Sequence, residues 1–218
     1  MTFTYLDYPT VNVEGKRIYV ISDEKYYPSV TTVLGQSQEK EKSSVLENWR
    51  RRVGNKEADR ITNDACTRGT NVHLMLERAL RGDDPKLMEF PESHRNIFNS
   101  LKLEIRKINS VFGQEVVLFS DTLRVAGRCD LVAEYQGTLT IVDYKTSSRV
   151  KSIDEIGDYW LQACAYALMH NEMFGTDIKK MVIMMGVENK MPMVFKKTLD
   201  DELILKLCER VSTFYERL

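Results

Sequence analysis

Three residues of this 218-residue chain have the types and spacing to do chemistry: Asp130, Asp143 and Lys145. Asp130 closes the run Gly127-Arg128-Cys129-Asp130, and the other two lie in Ile141-Val142-Asp143-Tyr144-Lys145-Thr146. Between the runs sits Gln136-Gly137, which suits a two-residue hairpin turn. In that register Tyr135 faces Thr138, facing residues have numbers that sum to 273, and Asp130 stands opposite Asp143. Strand alternation puts Lys145 on the same face. Opposed carboxylates repel and weaken a sheet, whereas a divalent cation between them reverses the sign of that interaction. A cation held by two acids beside a lysine suits phosphodiester hydrolysis. Asp-x-Lys alone also arises by chance or as a strand-end ion pair, and a three-residue loop would slip the register and separate the acids.

Two further groups have informative spacing. Gly69, His73 and Glu77 are spaced i, i+4, i+8 and form one ridge of a helix, with Gly69 letting another backbone come close. Gln162 and Tyr166 are i, i+4 neighbours inside an apolar run from Leu161 to Leu168, where polar side chains direct hydrogen bonds. In isolation each has a plainer account. His73 then is a core-edge histidine, Glu77 is surface charge with Arg78 and Arg81, and Gln162 and Tyr166 mark a helix boundary.

Trp49 adjoins Arg50, Arg51 and Arg52, with Lys56 nearby. Arg68 precedes the Gly69 ridge, and Arg149 and Lys151 follow the Lys145 strand. Such groups guide phosphates and stack on unpaired bases. A solvated helix face explains the arginine run equally well. Ser29, Thr31 and Thr32 offer hydroxyls to a phosphate, although both threonines also fit strand propensity.

These residues must be positioned by elements that periodicity and turn signals predict. An arm of short strands covers 1–35: Val11–Val13, Arg17–Val20 and a stretch from Tyr27 to Leu34. A polar loop fits 36–44, then a helix from Val45 to Val53. The strongest helical periodicity follows, with Ala58, Ile61, Ala65, Val72, Leu76 and Leu80 on one face and a stop at Gly82-Asp83. Another helix fits Glu92 to Phe112, stopping at Gly113. Strands fit Glu115–Phe119, Arg128–Tyr135 and Thr138–Lys145. A helix from Ile153 to Phe174, strands at Met181–Val187 and Met193–Lys197, and a helix from Asp200 to Arg217 complete the chain. This order indicates an α/β domain with a mixed central sheet flanked by helices.

Composition narrows the class. At 43% apolar residues the chain can bury the core of one large domain. No apolar stretch approaches the ~18 residues of a membrane span. The first residues lack a basic signal-peptide start and an Arg-rich transit pattern. Cys66, Cys129, Cys164 and Cys208 are scattered, which argues for reduced structural thiols, a cytoplasmic-type compartment and no iron–sulfur cluster. Net charge is −1, from 31 basic and 32 acidic residues, so any nucleic-acid surface is a local patch.

A Gly-Thr-x-x-His helix, a Gly-x-x-Asp strand, an Asp-Tyr-Lys-Thr strand and a Gln-x-x-x-Tyr helix occur in this order over roughly residues 65–170. Together they resemble the RecB-like exonuclease branch of the PD-(D/E)XK nuclease superfamily. Pro28-Ser29-Val30-Thr31-Thr32-Val33-Leu34, with Trp49 on the next helix, is similar to the mitochondrial genome maintenance exonuclease group and its phage and bacterial relatives. The resemblance implies a restriction-endonuclease-like core and one nuclease domain over 1–218. Within it, 1–56 is the arm and basic helix, 57–187 the catalytic core, and 188–218 the edge strand and last helix.

The resemblance also implies metal ligation by His73, Asp130, Asp143 and the Tyr144 carbonyl, with Glu77 and Glu115 as further candidates. Catalytic roles fall to Asp130, Asp143, Lys145, Gln162 and Tyr166. Arg68, Thr70, Trp49, Arg51, Arg52, Thr31, Thr146, Ser147 and Arg149 are the expected DNA contacts. Cys129 replaces the proline of the superfamily's name. The cofactor would be one or two Mg²⁺ or Mn²⁺ ions, and the partner DNA, single-stranded or with free ends, in replication, repair or recombination. The setting would be the cytoplasm, the host's if the chain is phage-encoded. A structure-specific endonuclease and a catalytically silent DNA- or protein-binding module remain alternatives.

Overall fold

The computed structural model describes residues 2–38, 40–84 and 89–218. A small antiparallel sheet comes first: β1 (Thr10–Val13), β2 (Lys16–Ser22) and β3 (Lys25–Pro28). Helices α1 (Val30–Gln36), α2 (Lys40–Val53), α3 (Asn55–Arg81) and α4 (Glu92–Ile105) follow. Then come β4 (Ile108–Ser120), β5 (Val125–Tyr135), β6 (Thr138–Ser147), α5 (Gly157–Phe174), β7 (Lys180–Val187), β8 (Met193–Thr198) and α6 (Asp201–Glu216). The main sheet has the order β4-β5-β6-β7-β8. β6 and β7 are parallel, joined by the α5 crossover, and the other pairs are antiparallel.

Two apolar layers sandwich the sheet. Val72, Met75 and Leu76 of α3 and Ile97 and Leu101 of α4 pack on Leu131, Ala133, Val142 and Met184. Val33 of α1, Ala163, Cys164 and Ala167 of α5 and Leu207 of α6 pack on Cys129, Val132, Ile141 and Met185. The mixed α/β architecture expected from the element order is therefore the one observed.

The hairpin forms as the turn chemistry requires. Gln136 and Gly137 have φ of +51° and +79°, the double positive φ of a type I′ turn. Tyr135 pairs with Thr138, and the register runs to Leu131 opposite Val142.

Several boundaries differ from expectation. Ser29 caps a helix where a strand was expected: its Oγ accepts the Thr32 N–H at 3.0 Å, and the cap outweighs the β-branched run after it. α2 begins at Lys40, because the alternating Glu and Lys there are good helix formers. Of the expected 36–44 loop, residue 39 lies outside the described residues. α4 stops at Ile105 rather than Phe112. Residues 108–112 join β4 although Ile108 and Phe112 continue the helical spacing, because they pair with the end of β5. Gly113 is thus no helix stop but a point in β4 where the Tyr5 ring closes over the backbone. Ile61, expected inward, is 38% exposed, since the first half of α3 runs beyond the sheet.

Candidate active site

The face alternation of β5 breaks at Asp130. Val125 and Cys129 pack on the α5 side, whereas Leu131 and Ala133 pack beneath α3 and α4. Opposite, on β4, Glu115 has φ of +52°, between Gln114 paired with Leu131 and Val116 paired with Cys129. The β4–β5 register is kept across Glu115, so the break lies in the side-chain alternation of β5. It corrects the expectation that Asp130 and Asp143 simply face each other across a continuous ladder. The β5–β6 pairing ends at Leu131, and the Asp130 carboxylate fills the gap by accepting the Tyr144 N–H at 2.7 Å.

Into that gap α3 brings His73. Its Nε2 donates to the Tyr144 carbonyl at 2.9 Å, and its Nδ1 lies 3.6 Å from Asp130 Oδ1. Among the described residues, His73, Glu115 and Asp130 bring ligand atoms within 4.8 Å of one another. Burial pushes the Glu115 carboxyl up to about 7, with Asp130 reinforcing and His73 opposing. Asp143 stands apart from this trio. It is fully buried, and its Oδ1 has no hydrogen-bond partner. Lys145 Nζ lies 2.5 Å from its Oδ2 as an ion pair. Burial pushes Asp143 upward and Asp130 adds to this, while Lys145 opposes. For Lys145, burial acts to lower the pKa, but Asp143 and Asp130 outweigh it and hold the ammonium above its ordinary range.

Lys145 also donates to Gln162 Oε1 at 3.1 Å, and Gln162 Nε2 donates to the Tyr166 hydroxyl at 3.1 Å. The Tyr166 ring rests on the β5 backbone, where a Cβ on Gly127 would come within 2.7 Å of it. That close approach is what glycine permits.

The remaining expected residues fall in three places. Glu77 and Thr70 line the cleft beside His73 and Glu115, with Glu77 ion-paired to Arg81. Arg68 is largely buried between Glu188, at 3.0 Å, and Thr146, at 3.4 Å. The Ser147 hydroxyl is turned inward, donating to the Arg149 carbonyl at 2.6 Å. Trp49, Arg52, Ile61 and Arg149 line a groove of about 1130 Å³ between α2 and α3, away from the acids. Arg149 also pairs with Glu155 there, and exposed Arg51 lies 3.8 Å from Glu47. Thr31 sits on α1 with its hydroxyl 3.1 Å from Ser29 Oγ and borders the cleft that holds Asp130.

Sequence reasoning missed three contributors. Arg17 and Tyr19 of β2 line the cleft of about 210 Å³ that contains His73, Asp130 and Gln162, and no local signal marks them. Tyr159 lies 5.1 Å beneath Lys145 Nζ. Its i, i+3, i+7 spacing with Gln162 and Tyr166 was a usable signal.

The donor set is one imidazole, carboxylates and a backbone carbonyl, which suits a hard divalent cation. The second Asp143 oxygen, Oδ1, fits such an ion independently, because it is buried with no donor of its own. A mixed sheet between two helical layers, with a histidine, acids and a lysine gathered where two strands part, has the build of a nuclease. Residues 46–202 match the family model of the PD-(D/E)XK nuclease superfamily, and the chain belongs to that superfamily. It is 29% identical over 177 residues to mitochondrial genome maintenance exonuclease 1 of Homo sapiens, over 76% of this chain and 50% of that protein. The Xenopus tropicalis protein of the same name is 28% identical over 172 residues, with the same coverage. The chain thus spans about half the length of these relatives. Its fold is similar to the crystal structure of a candidate exonuclease from Eubacterium rectale. The TM-score is 0.51 at 11% identity, over 69% of this chain and 65% of that one.

Proposed function

We propose that this protein is a Mg²⁺- or Mn²⁺-dependent deoxyribonuclease that degrades DNA from an end, with an unpaired strand as substrate. The observation that carries the proposal is the placement of Lys145, held between Asp143 and Gln162 beside the His73, Glu115 and Asp130 cluster. The exonuclease names of the relatives support the choice of ends as substrate. His73, Asp130, Glu115, Asp143 and the Tyr144 carbonyl are the candidate ligands, and Glu77 is an outer candidate. A bound divalent ion supplies Lewis-acid stabilisation of phosphoryl charge and a more acidic water.

The chain's own residues do the rest. Lys145 faces the scissile phosphate and offsets charge that develops there. Gln162 fixes the ammonium, and Tyr166 fixes Gln162. Thr70 and Thr31 border the cleft and offer hydroxyls to the strand. Trp49 provides a stacking surface, and Arg51, Arg52 and Arg149 provide phosphate contacts along the α2–α3 groove. Arg68 and Thr146 hold the ridge that carries His73, and Ser147 shapes the turn after β6. We read the described residues as one nuclease domain acting in DNA replication, repair or recombination. Four unpaired cysteines support a reducing, cytoplasmic setting.

The test uses end-labelled single- and double-stranded DNA and a covalently closed circle, with Mg²⁺ or Mn²⁺ against EDTA. EDTA-sensitive shortening of labelled strands, an intact circle and at least a ~100-fold loss in Lys145→Ala are expected. No metal-dependent degradation, or full activity in Lys145→Ala, would sink the proposal. Cutting of the circle would replace exonuclease with endonuclease.

A further inference from the structure

Glu115 is held by contacts that originate far away in the sequence. Its φ of +52° lies in the left-handed region, which residues with a Cβ enter only at a cost. Its neighbours Gln114 and Val116 are regular paired strand. The excursion therefore falls on the one β4 residue whose carboxylate joins His73 and Asp130.

One contact holds it, and a second holds the residue that makes that contact. Arg128 Nη1 donates to the Glu115 carbonyl at 2.6 Å, and Arg128 Nη2 donates to Asp7 Oδ1 at 2.7 Å. Asp7 belongs to the arm that precedes β1. Two residues earlier on that arm, Tyr5 closes over Gly113, where a Cβ would lie 2.6 Å from the ring. Tyr5 is itself anchored to His170 of α5 by a 2.9 Å hydrogen bond. The arm thus bears on β4 directly at Gly113 and, through Arg128, at Glu115.

We propose that Arg128 is a positioning residue for the metal site, and that the docked arm, acting through Asp7, sets its hold on Glu115. Divalent-cation affinity then depends on residues of the arm that touch no ligand. This rests on the metal-site assignment made above. The Arg128 bond to the Glu115 carbonyl opposes relaxation of this backbone toward the extended form, and so helps keep the carboxylate beside His73 and Asp130. Partners that orient metal ligands commonly govern affinity by about 10–100-fold.

The test titrates Mn²⁺ alone into the full chain by calorimetry, without DNA, alongside thermal melts in EDTA. Arg128→Ala should weaken Mn²⁺ binding about tenfold, and Asp7→Ala about threefold. Asp7→Asn keeps an acceptor oxygen and should restore most of the affinity. Glu115→Gly should melt higher in EDTA yet bind Mn²⁺ more weakly, since glycine accepts the left-handed backbone but lacks the carboxylate.

Affinities of Arg128→Ala and Asp7→Ala within about twofold of the parent would overturn the inference. Equal losses in Asp7→Ala and Asp7→Asn would reduce the arm's contribution to distant charge and overturn it too. Asp130→Asn separates this inference from its foundation. If the parent binds no Mn²⁺, or Asp130→Asn binds it as tightly, the metal site and the inference both fall. If Asp130→Asn loses binding while Arg128→Ala and Asp7→Ala keep it, only the inference falls. Should Arg128→Ala fail to fold, Asp7→Ala carries the test, because the Asp7 side chain is 77% exposed.

Discussion

Asp130 accepts the backbone N–H of Tyr144 at 2.7 Å, and so substitutes a side chain for the next rung of the β5–β6 ladder. Its other oxygen lies 3.6 Å from His73. One carboxylate therefore closes the hairpin and contributes to the candidate ligand cluster. Substitutions can separate those duties.

Asp130→Asn retains an oxygen for the Tyr144 N–H, while Asp130→Ala leaves that donor unpaired. In EDTA, urea denaturation should show the alanine variant about 1–3 kcal/mol less stable than the asparagine variant. Nuclease activity should be lost in both. Equal stabilities would mean that the bond contributes nothing to the fold.

Gly127→Ala drives a methyl into the Tyr166 ring. Overpacking of this kind costs about 1–3 kcal/mol. The displacement should also loosen Gln162 and slow cleavage. A double-mutant cycle with Tyr166→Ala should show strong coupling, measured by chemical denaturation; additive losses would place the strain elsewhere.

The Asp143–Lys145 pair is buried on one side and 18% exposed on the other. Replacing both, as Asp143→Leu with Lys145→Met, should leave metal-free stability equal or raise it by about 1–4 kcal/mol, while activity disappears. Asp143→Leu alone should be destabilising, because it strands the ammonium. Urea midpoints at constant slope would report the difference.

His170 gives a pH signature away from the acids. Thr176 donates its hydroxyl hydrogen to Asn171, so His170 Nδ1 donates to Thr176 and Nε2 accepts from Tyr5. Burial holds this neutral ring down at about 4. The unfolded ring protonates near 6.5, so this contribution is complete above about pH 6.5 and is lost as pH falls toward 4. At pH 5 the linked loss is at most about 2 kcal/mol. Melting from pH 7 to pH 5 should therefore cost the parent more than His170→Asn; parallel slopes would show that His170 is not the group titrating.

The hairpin register was legible because the turn and the alternation specify it independently. Gln136-Gly137 adopts the double positive φ, and Leu131 to Tyr135 alternate between the two layers. The break at Asp130 was not legible. Nothing in Glu115's neighbours marks a left-handed residue, and the conformation is held by Arg128 from the adjacent strand. The stretch from Val30 to Val33 read as strand by propensity, and one serine cap reversed it. Ile105, Ile108 and Phe112 keep the helical spacing past the point where α4 ends, so tertiary packing decided that end against the local pattern. The lysine network was half visible, since Gln162 and Tyr166 share a helix face while Tyr159 entered only through its ring contact.

β8, which pairs only with β7 among the described residues, also bears on how copies of the chain meet. It carries Lys196 and Lys197 and follows Pro192. Lys196 is committed to Gln136 and the Tyr135 ring, and Lys197 lies 3.6 Å from Asp200. A strand from a second molecule would have to strip water from these ammonium groups to extend the sheet. The border is thereby guarded against edge-to-edge pairing by the same strand that completes the nuclease sheet.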